Sequence, residues 1–111
     1  MNSLGDFEQL VMLAVLQLGE DARAADVRAR IVEAAQRGVS RGALYSTLER
    51  LEAKGFLTWE VEESTPARGG IPRRRFHVTK EGVKAVRRSH QAVSRLSRGL
   101  HGLLEGRKAS S

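Results

Sequence analysis

The chain has 111 residues, no cysteine, and a formal charge of +6 from 19 basic and 13 acidic residues. That length suits one domain, and the lack of cysteine excludes disulfide frameworks, thiol catalysis and zinc fingers together. Residues 1–63 carry 7 Lys/Arg against 11 Asp/Glu and residues 64–111 carry 12 against 2, a half at −4 followed by a half at +10, which points to a polyanionic partner, either nucleic acid or an anionic membrane surface.

The N-terminus MNSLGDFEQL has no basic n-region or signal cleavage site, so export is not expected. The longest apolar run, Leu10 to Leu16, is far short of the ~20 residues that span a bilayer, and a cytoplasmic location is expected. From Leu4 to Leu18 the apolar residues follow helical spacing, but Met12, Leu13, Val15 and Leu16 fill the other faces too. A helix this apolar needs cover on several sides, and a second copy of the chain is the simplest source of part of it.

A second helix is predicted over Ala25–Gln36, from the spacing of Val27, Ile31 and Ala34, with Gly38 as its stop. Ser40 is placed to cap a third, with Val39 and Leu44 as a hydrophobic staple. Leu44, Leu48 and Leu51 form its apolar stripe, and Gly55 followed by Phe56 matches a Schellman ending. Glu49, Arg50 and Glu52 read as a solvated face. Two helices joined by a short glycine-containing turn make a helix-turn-helix candidate.

Leu57–Glu62 and Arg74–Val78 alternate as strands. Between them lies ESTPARGGIPR, whose prolines and Gly-Gly pair suit a loop. Thr79 is placed to cap a last helix running to about Leu104, with Val83, Val86, His90, Val93, Ser97, Leu100 and Leu104 repeating in 3-4 steps and Leu96 and Leu103 beside the seam.

Three helices followed by a hairpin with a basic tip predict a mainly α fold with a two-stranded β-wing: a winged helix-turn-helix over residues 4–78, a long dimerisation helix over 79–105, and a frayed tail over 106–111. A third helix in this arrangement enters the major groove of double-stranded DNA. The residues expected to touch DNA there are Ser40, Arg41, Gly42, Tyr45 and Ser46. In the wing they are Arg68, Gly69, Gly70, Arg73, Arg74 and Arg75, on phosphates or in the minor groove.

The blocks LGDFEQLVMLAVLQLGE, VSRGALYSTLERLEAKGFL and ESTPARGGIPRRRFHVTKEG resemble, in order and spacing, those of the PadR family of transcriptional regulators. The resemblance implies a homodimeric winged-helix repressor of the short class, pairing through its last and first helices. The expected interface residues are Leu4, Phe7, Val11, Val83, Val86, His90, Val93, Leu96, Leu100 and Leu104. Where the family often opens its second helix with an aromatic-glycine pair, this chain has Arg23-Ala24, which adds Arg23 as a phosphate contact. The last helix has no aromatic residue, so the planar-ligand sandwich of multidrug-responsive members does not carry over, and nothing in the sequence indicates an inducer.

Other function classes fare worse. No paired carboxylates, Ser/His/Asp set or phosphate loop suggests an enzyme. His77, His90 and His101 are too scattered to bind a metal, and no cofactor is expected. The apolar seam of the last helix is too narrow for deep membrane burial. A winged helix serving only as a protein-protein module is the closest rival, and a basic wing tip has no place in it.

Overall fold

The computed structural model describes residues 3–63, 69 and 72–106. Its elements are α1 (Asp6–Leu18), a 3₁₀ turn (Gly19–Asp21), α2 (Ala24–Ala35), α3 (Arg41–Ala53), β1 (Leu57–Glu62), β2 (Arg73–Val78), α4 (Lys80–Ser97) and a single-turn α5 (His101–Leu104). This is the expected winged helix: three helices and a two-stranded antiparallel sheet. The second helix starts and ends one residue earlier than expected, because Gln36, and not Gly38, takes the left-handed position at its end (φ 53°).

The centre of the fold is α1, which packs against α2, α3, α4 and β2. That position accounts for part of its all-round apolar surface: Val11, Met12, Ala14 and Val15 are buried within the chain itself, whereas Leu13 and Leu16 are left exposed. Val27 and Ile31 of α2 and Leu44, Leu48 and Leu51 of α3 complete this core.

The ends of α3 form as the sequence suggests. Ser40 Oγ accepts from the Ala43 N–H (3.1 Å), and Val39 and Leu44 are both buried. At the other end the Phe56 N–H donates to Leu51 O (3.0 Å) and the Gly55 N–H to Glu52 O (2.9 Å), with Gly55 at φ 81°. These two bonds define a Schellman motif. The chain leaves it directly into β1, which pairs with β2 from Leu57↔Val78 to Glu62↔Arg73.

One compact joint then ties the end of α3 to the base of the wing and the start of α4. The Thr79 N–H donates to Phe56 O (3.0 Å). Its hydroxyl donates to Gly55 O (2.7 Å) and accepts from the Gly82 N–H (3.0 Å). Gly82 is packed so closely that a Cβ there would lie 2.3 Å from Phe56 O, 2.7 Å from Val78 Cγ1 and 2.8 Å from Met12 Cε.

A second tie fixes α3 against α1. Glu8 is buried in the first turn of α1, where one carboxylate oxygen accepts from the Gly5 N–H (2.8 Å). Lys54 Nζ donates to both oxygens (2.8 and 3.0 Å) and Arg50 Nε to one (3.1 Å). Arg50 is exposed, on the face expected for it, and is also a cross-helix partner of Glu8. Burial alone would raise the Glu8 pKa, but the bonds from Lys54, Gly5 and Arg50 outweigh it and hold the carboxyl below its ordinary value.

The last helix departs from the expectation of one run to Leu104. It stops at Ser97, Gly99 adopts φ 81°, and α5 adds one further turn. A left-handed glycine ends a helix at little cost, and it breaks the 3-4 seam between Ser97 and Leu100. Beyond Val86 the described residues of α4 are exposed or half-buried. The helix thus projects from the domain, whose extents are 58 × 31 × 22 Å.

Replacing Gly82 with Ala should lower unfolding stability by about 1–3 kcal/mol, because one of the atoms it would meet is backbone and cannot rotate away; an unchanged thermal melt would contradict this packing. For Glu8 the sign follows from its depressed pKa. The stability it contributes is fully present above the unfolded-state value of about 4.3 and is lost as pH falls through the folded-state value. Glu8→Gln should therefore cost about 1–3 kcal/mol at neutral pH, and its deficit against the parent protein should shrink in denaturant titrations as pH is lowered below about 4.

Candidate nucleic-acid interface

The exposed side of α3 is set by its buried side. With Leu44, Leu48 and Leu51 turned into the core, Arg41, Gly42, Tyr45 and Ser46 face outward together with the cap residue Ser40. Among the described residues Arg41 makes no ion pair or hydrogen bond. It borders a hollow of about 230 Å³ formed with Ala24, Ala25 and Arg28 of α2 and with Tyr45. Arg28 donates from Nε to Val39 O (2.6 Å), which fixes the turn between α2 and α3.

Tyr45 also borders a second cleft, of about 580 Å³, between α3 and the wing, whose other walls include Arg23, Glu49, Pro72, Arg73 and Arg74. The first turn of α2, Tyr45 and the start of β2 thus form one continuous surface. Arg23 and β2 are joined there by backbone: the Phe76 N–H donates to Ala22 O (2.8 Å), and Arg23 forms an isolated antiparallel bridge with Arg75.

The three consecutive arginines of β2 do not act alike, since neighbouring residues on a strand point to opposite faces. Arg73 and Arg75 stand across from Glu62 and Glu60 in the register. Arg75 bonds Glu60 (2.6 Å) and pairs with Glu20 (3.2 Å), while Arg73 lies 4.0 Å from Glu62. The hydrogen bond to Glu60 raises the Arg75 pKa and, with His77 adding to the effect, lowers that of Glu60. Arg74, on the other face, holds its guanidinium 4.4 Å from the centre of the Trp59 ring. The Trp59 indole N–H in turn donates to Glu52 of α3 (2.7 Å), and Glu52 stays exposed on the face expected for it.

Arg23, expected as a phosphate contact, is committed within the protein. Its Nε and Nη2 donate to the two oxygens of Glu62 (2.6 and 2.9 Å) and Nη1 reaches Asp21 (3.3 Å). The Glu62 bonds raise its pKa further. A two-point, mostly shielded pair of this kind is a strut between the α1–α2 connection and the wing. Gly69 is exposed at φ 68°. Arg68 and Gly70 lie outside the described residues.

Glu49, read from the sequence as part of a solvated face, is exposed and belongs to the candidate surface. It continues the i, i+4, i+8 row of Arg41 and Tyr45, a spacing visible in the sequence, and it lines the wing cleft.

The residues expected between two copies divide in two. Val11 and Val86 are buried in their own chain's core and are corrected out of the set; Leu4 and Phe7 are half-buried against that core, Phe7 under Arg37 (5.3 Å), and Val83 is half-buried. His90, Val93, Leu96, Leu100 and Leu104 are exposed along α4 and α5. No group of acidic or histidine side chains among the described residues is arranged to hold a metal ion, and no described helix is long and apolar enough to cross a membrane.

Comparison with curated proteins gave no match. Among solved structures, a PadR-like transcription factor from Bacteroides fragilis superposes with a TM-score of 0.68 at 26% identity, over 87% of this chain and 88% of the other. A PadR family transcriptional regulator from Eggerthella lenta gives 0.65 at 28% identity, over 88% and 83%. A PadR-like regulator from Bacillus cereus gives 0.71 over 90% and 92%, and at 20% identity it speaks for the fold alone. The model of the transcriptional regulator PadR-like family matches residues 12–88, from the middle of α1 through the wing into α4. The chain belongs to that family, one of transcriptional regulators and not of enzymes.

Proposed function

We propose that the protein is a cytoplasmic, homodimeric repressor that binds a palindromic DNA operator, with α3 in the major groove and the wing along the adjacent minor groove and phosphates. The observation that carries this reading is the outward row of α3. It offers an unpaired arginine and a tyrosine at helical spacing, and the same tyrosine borders the arginine-lined cleft at the wing. Arg41, with its fork of donors, fits the O6 and N7 acceptors of guanine. The Tyr45 hydroxyl fits a phosphate, and Gly42, lacking a side chain, and Ser46 let the helix approach closely. In the wing, Arg73 and Arg74 remain the contacts best placed for phosphates. Arg75 and Arg23, held by Glu60, Glu20 and Glu62, act by fixing the wing's position.

Dimerisation is supported by two unpartnered apolar surfaces. One is the row Val93, Leu96, Leu100, Leu103 and Leu104 on α4 and α5, with Leu96 82% exposed. The other is a groove of about 530 Å³ between α1 and α2, lined by Leu10, Leu13, Leu16 and Ile31 among others. Each is apolar enough to need a cover, and one copy's arm against another's groove covers both.

Selection of bound duplexes from a random pool should return a palindrome whose half-sites lie about 10 bp apart; recovery of no preferred duplex would favour the protein-interaction module instead. On the selected duplex Arg41→Ala should lose about 1–3 kcal/mol and relax preference at one position, whereas Tyr45→Phe should weaken all duplexes alike. Identical selectivity profiles for the two variants would refute the assigned roles. A Val93→Asp/Leu96→Asp double variant should be monomeric in light scattering with its core intact. Persistence of the dimer would remove α4 from the interface.

A further inference from the structure

We infer that Glu49 is a specificity-determining residue of the recognition helix, reading the amino group of a cytosine in the major groove. The inference rests on the DNA-binding reading above and assigns a role that the cationic residues cannot fill.

Glu49 is exposed on the same row as Arg41 and Tyr45, eight residues from Arg41 and so ~12 Å further along the helix at ~1.5 Å per residue. It lines the cleft between α3 and the wing together with Tyr45, Arg73 and Arg74. The other acidic side chains of the last turns of α3 and of the sheet are engaged: Glu52 by Trp59, Glu60 by Arg75 and His77, and Glu62 by Arg23. Glu49 has no ion pair or hydrogen bond among the described residues, although two arginines share its cleft.

A free carboxylate on a surface that approaches phosphates is repelled by every duplex, whatever its sequence. Only a sequence that supplies a partner offsets that repulsion. An ionised carboxylate is an acceptor only, so guanine O6 and N7 and thymine O4 are excluded. Adenine presents its amino group beside the N7 acceptor, which faces the carboxylate unfavourably. Cytosine presents the N4 amino group alone, and it is the base a glutamate fits. Arg41 and Glu49 thus make opposite demands on the same groove, one seeking acceptors and the other a donor, and a duplex must satisfy both.

The test compares the full-length protein with its Glu49→Ala and Glu49→Gln variants on three sets of DNA: the duplex selected by the parent protein, that duplex changed at each base pair in turn, and a random-sequence duplex. Thermal melts serve as the control for folding. The parent should lose about 5- to 150-fold when one particular cytosine is replaced. Glu49→Ala should abolish that penalty and bind the random duplex more tightly. Glu49→Gln should shift the preference at the same position towards adenine, because an amide can both donate to N7 and accept from the N6 amino group. If both variants keep the parent's preference at every position, Glu49 merely repels phosphate and this inference alone fails. A parent protein that selects no sequence would overturn the DNA-binding reading and the inference with it.

Discussion

The fold depends on the contact between Gly82 and the Phe56 carbonyl. At this point the end of α3, the base of the wing and the first turn of α4 come within one side chain of each other, and α1 closes the fourth side through Met12. Thr79 fastens the same place with three hydrogen bonds, two to the turn after α3 and one to the helix it caps. The angle between α3 and the wing, and the direction in which α4 leaves the domain, are therefore set by one small volume. No residue with a Cβ fits in it without moving backbone. A regulator that must present helix and wing to DNA together needs such rigidity, since a preorganised surface loses less on binding than one that must be ordered.

Charge is divided between two tasks. Glu8 with Lys54 and Arg50 locks α3 to α1, and Glu62 with Arg23 and Glu60 with Arg75 lock the wing to the α1–α2 connection and to itself. These pairs place three acidic residues of the first half of the chain, Glu8, Glu60 and Glu62, beside basic partners. Among the described residues of the candidate surface, Arg41, Tyr45 and Glu49 make no ion pair or hydrogen bond, and each has a separate chemistry: a forked donor, a hydroxyl and an acceptor. The asymmetry of −4 and +10 along the sequence is thus smaller in space than in the chain, because the basic wing folds back onto acidic β1.

Much of this was legible in the residues because the signals were local. The cap at Ser40, the staple of Val39 and Leu44, the Schellman ending at Gly55 and the alternation of the strands each depend on a few neighbouring positions. What was hidden depends on distant ones. Glu8 in an apolar helix looks like an exposed polar residue until Lys54, 46 positions away, is brought beside it. Gly82 looks like a poor helix residue until its neighbours are known. Arg23 and the wing arginines could be counted but not sorted, since which charges are paired is decided by register and by the bridge from Arg23 to Arg75. The break at Gly99 was foreshadowed by the glycines of the last helix. Continuity of the apolar seam argued against it, and the left-handed glycine decides.

The most direct test of the central claim is a hydroxyl-radical footprint of the protein on its selected duplex. The account predicts two protected stretches of backbone about one helical turn apart, related by a two-fold axis, each flanked by minor-groove protection that disappears when Arg73 and Arg74 are replaced by alanine. A footprint without that symmetry, or one whose flanking protection survives the loss of both arginines, would contradict it.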